Sequence, residues 1–147
     1  MTDRDRTTGD RTTLQTVAML VGIVFLLVGI LGFIPGITSD APGEFAGQES
    51  DAMLLGIFQV SILHNIVHLL FGVAGLAMAR SFDGARTFLI GGGVIYLLLW
   101  ILGLIGALNW LPANTADDWL HFGLGVGMVG AGFLLGRDAP GRATTTA

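Results

Sequence analysis

Apolar residues run along this chain in four long blocks separated by short polar, glycine- or proline-marked breaks. The blocks cover residues 14–34, 53–79, 87–108 and 119–136. Crossing about 30 Å of hydrocarbon takes roughly 20 mostly apolar residues, so each block reads as a membrane-spanning helix. The second is longer than a span requires, and its first turns are expected to project beyond the bilayer. The fourth is near the minimum length and rich in glycine. Pro35-Gly36 closes the first block, Asp83-Gly84 is expected to form the turn between the second and third, and Pro112 lies between the third and fourth. Thr115 with Asp118 three residues on resembles a capping box, and Asp117 adds negative charge at the positive end of that helix. Segment 37–52 suits a short helix, a docking loop or a solvated linker equally well. The polar tails, residues 1–13 and 137–147, read as disordered.

Composition supports that pattern. Charged residues make up 12% of the chain and hydrophobic ones 52%, whereas a soluble domain carries about 25% charged residues to cover its surface. The absence of cysteine excludes disulfides and thiolate metal sites. A net charge of −4 with scattered basic residues excludes a nucleic-acid partner. The arginines set a direction. Arg4, Arg6 and Arg11 precede the first block, Arg80 and Arg86 fall between the second and third, and Arg137 and Arg142 follow the fourth. The other two connections carry only acids: Asp40, Glu44, Glu49, Asp51, Asp117 and Asp118. By the positive-inside rule both termini are expected in the cytoplasm of a plasma-membrane protein. The first apolar run exceeds the core of a signal peptide and no A-x-A site follows it, so a retained span is expected.

The chain also resembles itself. "GIVFLLVGILGFI" from Gly22 and "GVIYLLLWILGLI" from Gly93 agree at seven of thirteen positions, and "HLLFGV" from His68 pairs with "HFGLGV" from His121. The expected fold is therefore an all-α integral membrane four-helix bundle, made of a duplicated two-helix hairpin with both ends inside. In that register His68 corresponds to His121, and His64 and Asn65 correspond to Asp117 and Asp118.

Candidate chemistry concentrates on the second block. At 100° per residue, Ser61, His64, Asn65, His68, Gly72, Gly75 and Ala79 share an arc of about 100°. Leu63, Ile66, Val67, Leu70 and Val73 lie opposite. The small and polar face is expected to turn toward other helices, with Gly72, Gly75, Ala79 and, in the fourth block, Gly125 as packing positions. The polar cluster Ser61, His64, Asn65, His68, Asp117, Asp118 and His121 then gathers toward the outer side.

Three readings of it compete. In the first, the imidazoles and the amide hydrogen-bond to neighbouring helices and fix their register. In the second, His64, His68 and His121 bind a metal ion, or His68 and His121 ligate a haem. In the third, the cluster forms part of a proton or small-solute path, although no acid or base deep in the first or third block continues it. No cofactor is required by any motif. "GLGVGMVGAG" follows no strand and reads as close helix packing, not a phosphate loop. Ser61 and His64 are helical neighbours without an oxyanion site, and no catalytic residues are assigned.

The stretch "LLGIFQVSILHNIVHLLFGVAGLAMAR", with its H-N-x-V-H-L-x-F-G-x-A-G-L core, and "WLHFGLGVGM" near the end resemble a family of small bacterial four-span membrane proteins, a domain of unknown function. The resemblance covers roughly residues 14 to 136. It implies four spans and an inner-membrane location, and it implies no activity. The expected role is a non-enzymatic structural or partner-binding membrane component, its partners being lipid and either a second copy or another membrane protein. A haem- or metal-binding redox protein and a conductor are the alternatives.

Overall fold

The computed structural model describes residues 11–40, 42–43, 45–46, 50–108, 110–111 and 114–137. Most of the two tails, together with Pro112, lies outside the described residues. The elements in order are α1 (Thr13–Leu31), β1 (Met53–Leu54), β2 (Phe58–Gln59), α2 (Ile62–Met78), α3 (Phe82–Leu104) and α4 (Thr115–Leu134), with a 3-10 turn at Leu135–Arg137. The chain is thus mainly helical, with one small strand pair.

Helix α1 starts at a capping box: the Thr12 hydroxyl accepts from the Gln15 N–H, and the Gln15 side chain accepts from the Thr12 N–H. The Gln15 side-chain amide also donates to the Ala79 carbonyl (3.2 Å), tying the start of α1 to the end of α2. Leu14, Ala18, Gly22, Phe25 and Gly29 form the buried seam of α1. It meets the α2 seam of Asn65, His68, Gly72 and Gly75. Two glycine-bearing seams let the backbones approach closely, so that a Cβ on Gly22 would stand 3.1 Å from the Gly72 carbonyl oxygen. Helices α3 and α4 pack in the same way, and α1 and α2 both touch α3. Contact between α1 and α4 is slight. Outward faces are apolar, with Leu70 65%, Val73 58% and Leu98 53% exposed.

Three local features differ from the sequence expectation. The apolar run from Met53 does not begin as a helix. Residues 53–59 form an antiparallel hairpin, pairing Met53 with Gln59 and Leu54 with Phe58. Its turn has positive φ at Leu55 (55°) and Gly56 (69°), and helix begins only after Ser61, whose hydroxyl accepts from the His64 N–H. An apolar run of this length suits strand and helix alike, and the Gly56 turn and the Ser61 cap decide it. The second connection reverses at Arg80 and Ser81, not at Asp83-Gly84. Ser81 caps α3, Asp83 lies in its first turn, and a Cβ on Gly84 would collide with the Met78 carbonyl. Finally, the capping box of α4 is Asn114 with Asp117, one residue earlier than Thr115 with Asp118. Asn114 accepts the Asp117 N–H at 3.0 Å, and the Asp117 carboxylate accepts the Asn114 N–H at 3.1 Å.

Segment 37–52 is neither a helix nor a plain linker where it is described. Thr38 is fully buried, donates to the Leu31 carbonyl (3.0 Å) and bridges to Leu54. Ala52, Leu54 and Val60 form a small apolar core against Val28, Leu31, Ile37 and Phe58. The hairpin is thereby seated on the end of α1, covering one end of the helices. The arginines Arg80, Arg86 and Arg137 lie at the other.

Candidate functional site

One turn of helix separates His64 from His68, and their rings stack with centroids 4.2 Å apart and planes 10° from parallel. The His68 Nδ1 lies 3.0 Å from the His64 carbonyl oxygen. A carbonyl only accepts, so Nδ1 carries the proton, and in the neutral ring Nε2 offers a lone pair. His68 also packs on Phe25 (5.4 Å between centroids), Phe25 on Tyr96 (5.4 Å), and Tyr96 on His121 (5.1 Å). A continuous chain of ring contacts therefore joins the imidazoles of α2 to that of α4.

His64, His68, His121 and Asp117 line a single cavity of about 310 Å³. Its remaining walls are apolar: α1 contributes Val21, Phe25 and Val28, and the hairpin roofs it with Leu54 and Phe58. Leu20, Val24 and Leu120 also line it, yet are 53%, 53% and 42% exposed on the outer surface. Leu55 at the hairpin turn does the same at 62%, so the cavity opens sideways between α1 and α4, which touch only slightly, with the hairpin turn at its rim.

Asp117 is 2% exposed and spends one oxygen on structure. Its Oδ2 accepts the backbone N–H of Gln59 (3.2 Å) as well as that of Asn114, and Asn114 Nδ2 donates to the Ile57 carbonyl (2.7 Å). These bonds clamp the hairpin to the start of α4. The sequence offered no signal for this clamp, because it joins positions 58 residues apart through backbone groups.

The other three members of the sequence cluster lie elsewhere. Ser61 is the cap of α2 and fully buried. Asn65 is fully buried with its side-chain amide against Gly32, which caps the end of α1, and that amide has no hydrogen-bond partner among the described residues. Asp118 lies over Gly103 of α3, where a Cβ would approach its Oδ1 to 2.5 Å. The packing positions are spent inside the chain. Gly72 faces Leu26 and Gly22, Gly75 faces Phe88 and Gly22, Gly125 faces Leu97 and Gly93, and Ala79 is buried where Gln15 holds its carbonyl.

Among the described residues no group of three His, Cys, Asp or Glu side chains is placed to hold a metal ion. The histidines share a cavity without forming a ligand set.

Fold and site together define a mainly helical protein in which three helices, Thr13–Leu31, Phe82–Leu104 and Thr115–Arg137, are long and apolar enough to cross a membrane. The chain matches the family model described as "Domain of unknown function (DUF4383)" over residues 15–134, and it belongs to that family. No curated relative and no solved structure matches it.

Proposed function

We propose that this protein is a non-enzymatic binding component of the bacterial inner membrane, a four-helix bundle with both termini in the cytoplasm and its binding chamber in the outer half. The observation that carries this reading is the side-opening cavity into which α2 and α4 direct three imidazoles and one carboxylate. Its volume falls at the lower end of the roughly 300–1,000 Å³ typical of small-molecule sites, and a few polar groups on an apolar lining is the usual character of such sites. Among the described residues no nucleophile with a positioned base and oxyanion donors accompanies them, so binding accounts for the arrangement better than catalysis.

Two experiments test this reading. The chain lacks cysteine, so single replacements report topology cleanly. Asp51→Cys is expected to react with a membrane-impermeant maleimide on intact cells, and Arg137→Cys only after lysis. The opposite pattern refutes the orientation. For the chamber, a photo-crosslinking phenylalanine at Leu124, which lines it, is compared with one at Val73, which is exposed on α2. The Leu124 position is expected to capture a species that Val73 does not. Identical capture of bulk lipid at both positions refutes a binding chamber.

A further inference from the structure

Resting on the reading above, the chamber's chemistry narrows what it accepts: we infer that it binds a neutral, membrane-dissolved lipid alcohol, entering sideways between α1 and α4 with its hydroxyl directed at the imidazole wall. Three observations converge on that class.

The first is the opening. Leu20 and Val24 of α1, Leu120 of α4 and Leu55 at the hairpin turn line the chamber and are also exposed, which gives the mouth an apolar rim. The hairpin roofs the end of the helices, with Leu54 and Phe58 over the chamber and Asn114 and Asp117 fastening it to α4. A ligand therefore reaches the chamber through the hydrocarbon layer, which selects molecules dissolved in the membrane over water-borne ones.

The second is the sign of the hydrogen bonding on offer. His68 donates from Nδ1 to the His64 carbonyl, which leaves Nε2 as an acceptor. The Asp117 carboxylate is an acceptor by nature. Among the described residues the rings of His64 and His121 make no hydrogen bond of their own, so each neutral ring adds one acceptor nitrogen and one N–H donor. The wall therefore holds more acceptors than donors but offers both, and a hydroxyl is the smallest uncharged group that donates and accepts at once.

The third is charge. Among the described residues no lysine or arginine lines the chamber, while Asp117 does. An anionic head such as a fatty-acid carboxylate or a phosphate would face a carboxylate with no compensating cation. The alcohol avoids that repulsion, and its chain covers the apolar α1 wall from Leu20 to Val28.

The test uses the full chain in phospholipid nanodiscs with ¹⁵N-labelled histidine; there are only three histidines, so each ring can be assigned. The probes are farnesol, the corresponding hydrocarbon farnesene, the corresponding acid, and zinc ions. Farnesol is expected to shift the His68 Nε2 resonance saturably, with farnesene and the acid each at least tenfold weaker. His68→Phe, which keeps a ring against Phe25, is expected to weaken farnesol at least tenfold. Val24→Trp is expected to block access while leaving the imidazoles in place. Equal affinity for farnesol and farnesene would overturn the inference, as would tighter binding of the acid or no response to farnesol. Zinc shifting all three histidines together would replace it with a metal site. The wild-type arms decide the matter if either variant fails to fold. Loss of the farnesol response alongside continued selective capture at Leu124 would reject the alcohol but keep the binding chamber; loss of both rejects the chamber itself.

Discussion

Glycine at position 93 and glycine at position 127 lie on consecutive helices of one hairpin, yet a methyl group added to each meets opposite surroundings. At Gly93 the new carbon would stand 2.8 Å from the Gly125 carbonyl oxygen and 2.9 Å from the Val129 nitrogen, both backbone atoms that cannot turn aside. At Gly127 it would meet nothing within 4 Å. Gly93→Ala is therefore expected to push α3 from α4 and cost roughly 1–3 kcal/mol, the usual penalty for overpacking. Gly127→Ala is expected to be neutral or to stabilise by up to about 1 kcal/mol through helix propensity. Unfolding midpoints of the two variants in detergent check the difference in sign. The same contrast shows what a glycine-rich pattern leaves open. Gly125 is the expected packing position within "GLGVG", but its partners are not in the pattern: it faces Leu97 and Gly93, whereas nothing lies within 4 Å of a Cβ at Gly123 or Gly127.

At the scale of elements, the hairpin is the part the sequence concealed and the helices the part it revealed. Long apolar blocks are unambiguous, and α1, α3 and α4 each fall largely within or against a block drawn from hydropathy alone. "MLLGIFQV" is apolar apart from Gln59 and runs into the equally apolar start of α2, so hydropathy alone does not mark where strand gives way to helix. The Gly56 turn and the Ser61 cap mark its limits locally, and pairing with Thr38 and burial against Val28 and Leu31, both tertiary facts, hold it as a hairpin. Asp117 was legible as a helix-start acid and as a counterpart of His64, but its bond to Gln59 was not. That bond makes a specific expectation. Asp117→Ala removes the acceptor for two buried or half-buried N–H groups, at roughly 1–3 kcal/mol for each left unsatisfied. The hairpin should loosen first: amide exchange at Gln59 and Phe58 is expected to accelerate well ahead of exchange in the α2 core around Gly72. Uniform acceleration throughout the chain would show instead that Asp117 supports the whole fold and not the hairpin's attachment.

Across the whole molecule, the internal likeness of the sequence returns as matched contacts. Gly22 meets Gly72 as Gly93 meets Gly125, and Leu26 covers Gly72 as Leu97 covers Gly125. Phe25 packs on His68 at 5.4 Å as Tyr96 packs on His121 at 5.1 Å. Asn65 lies against Gly32 as Asp118 lies against Gly103. Every pair is related by the register that aligns Gly22 with Gly93 and His68 with His121, which makes each hairpin a packing unit built on one plan. What breaks the likeness is the roofing hairpin of the first half and the replacement of His64 by Asp117 in the second, and both differences border the chamber. If each half is a unit, the covalent link at Arg80-Ser81 only holds two preformed hairpins together, in the manner of helices that insert first and associate afterwards. Co-expressed fragments 1–80 and 81–147 are then expected to co-purify from membranes, held by the Phe25, Phe71, Phe88 and Tyr96 ring cluster that spans the halves. Tyr96→Ala, which cuts that cluster at its centre, is expected to lower recovery of the fragment pair severalfold while the intact chain carrying the same change still accumulates. Fragments that never associate would mean that the halves fold only as one chain, and that the duplicated plan survives as geometry without independence.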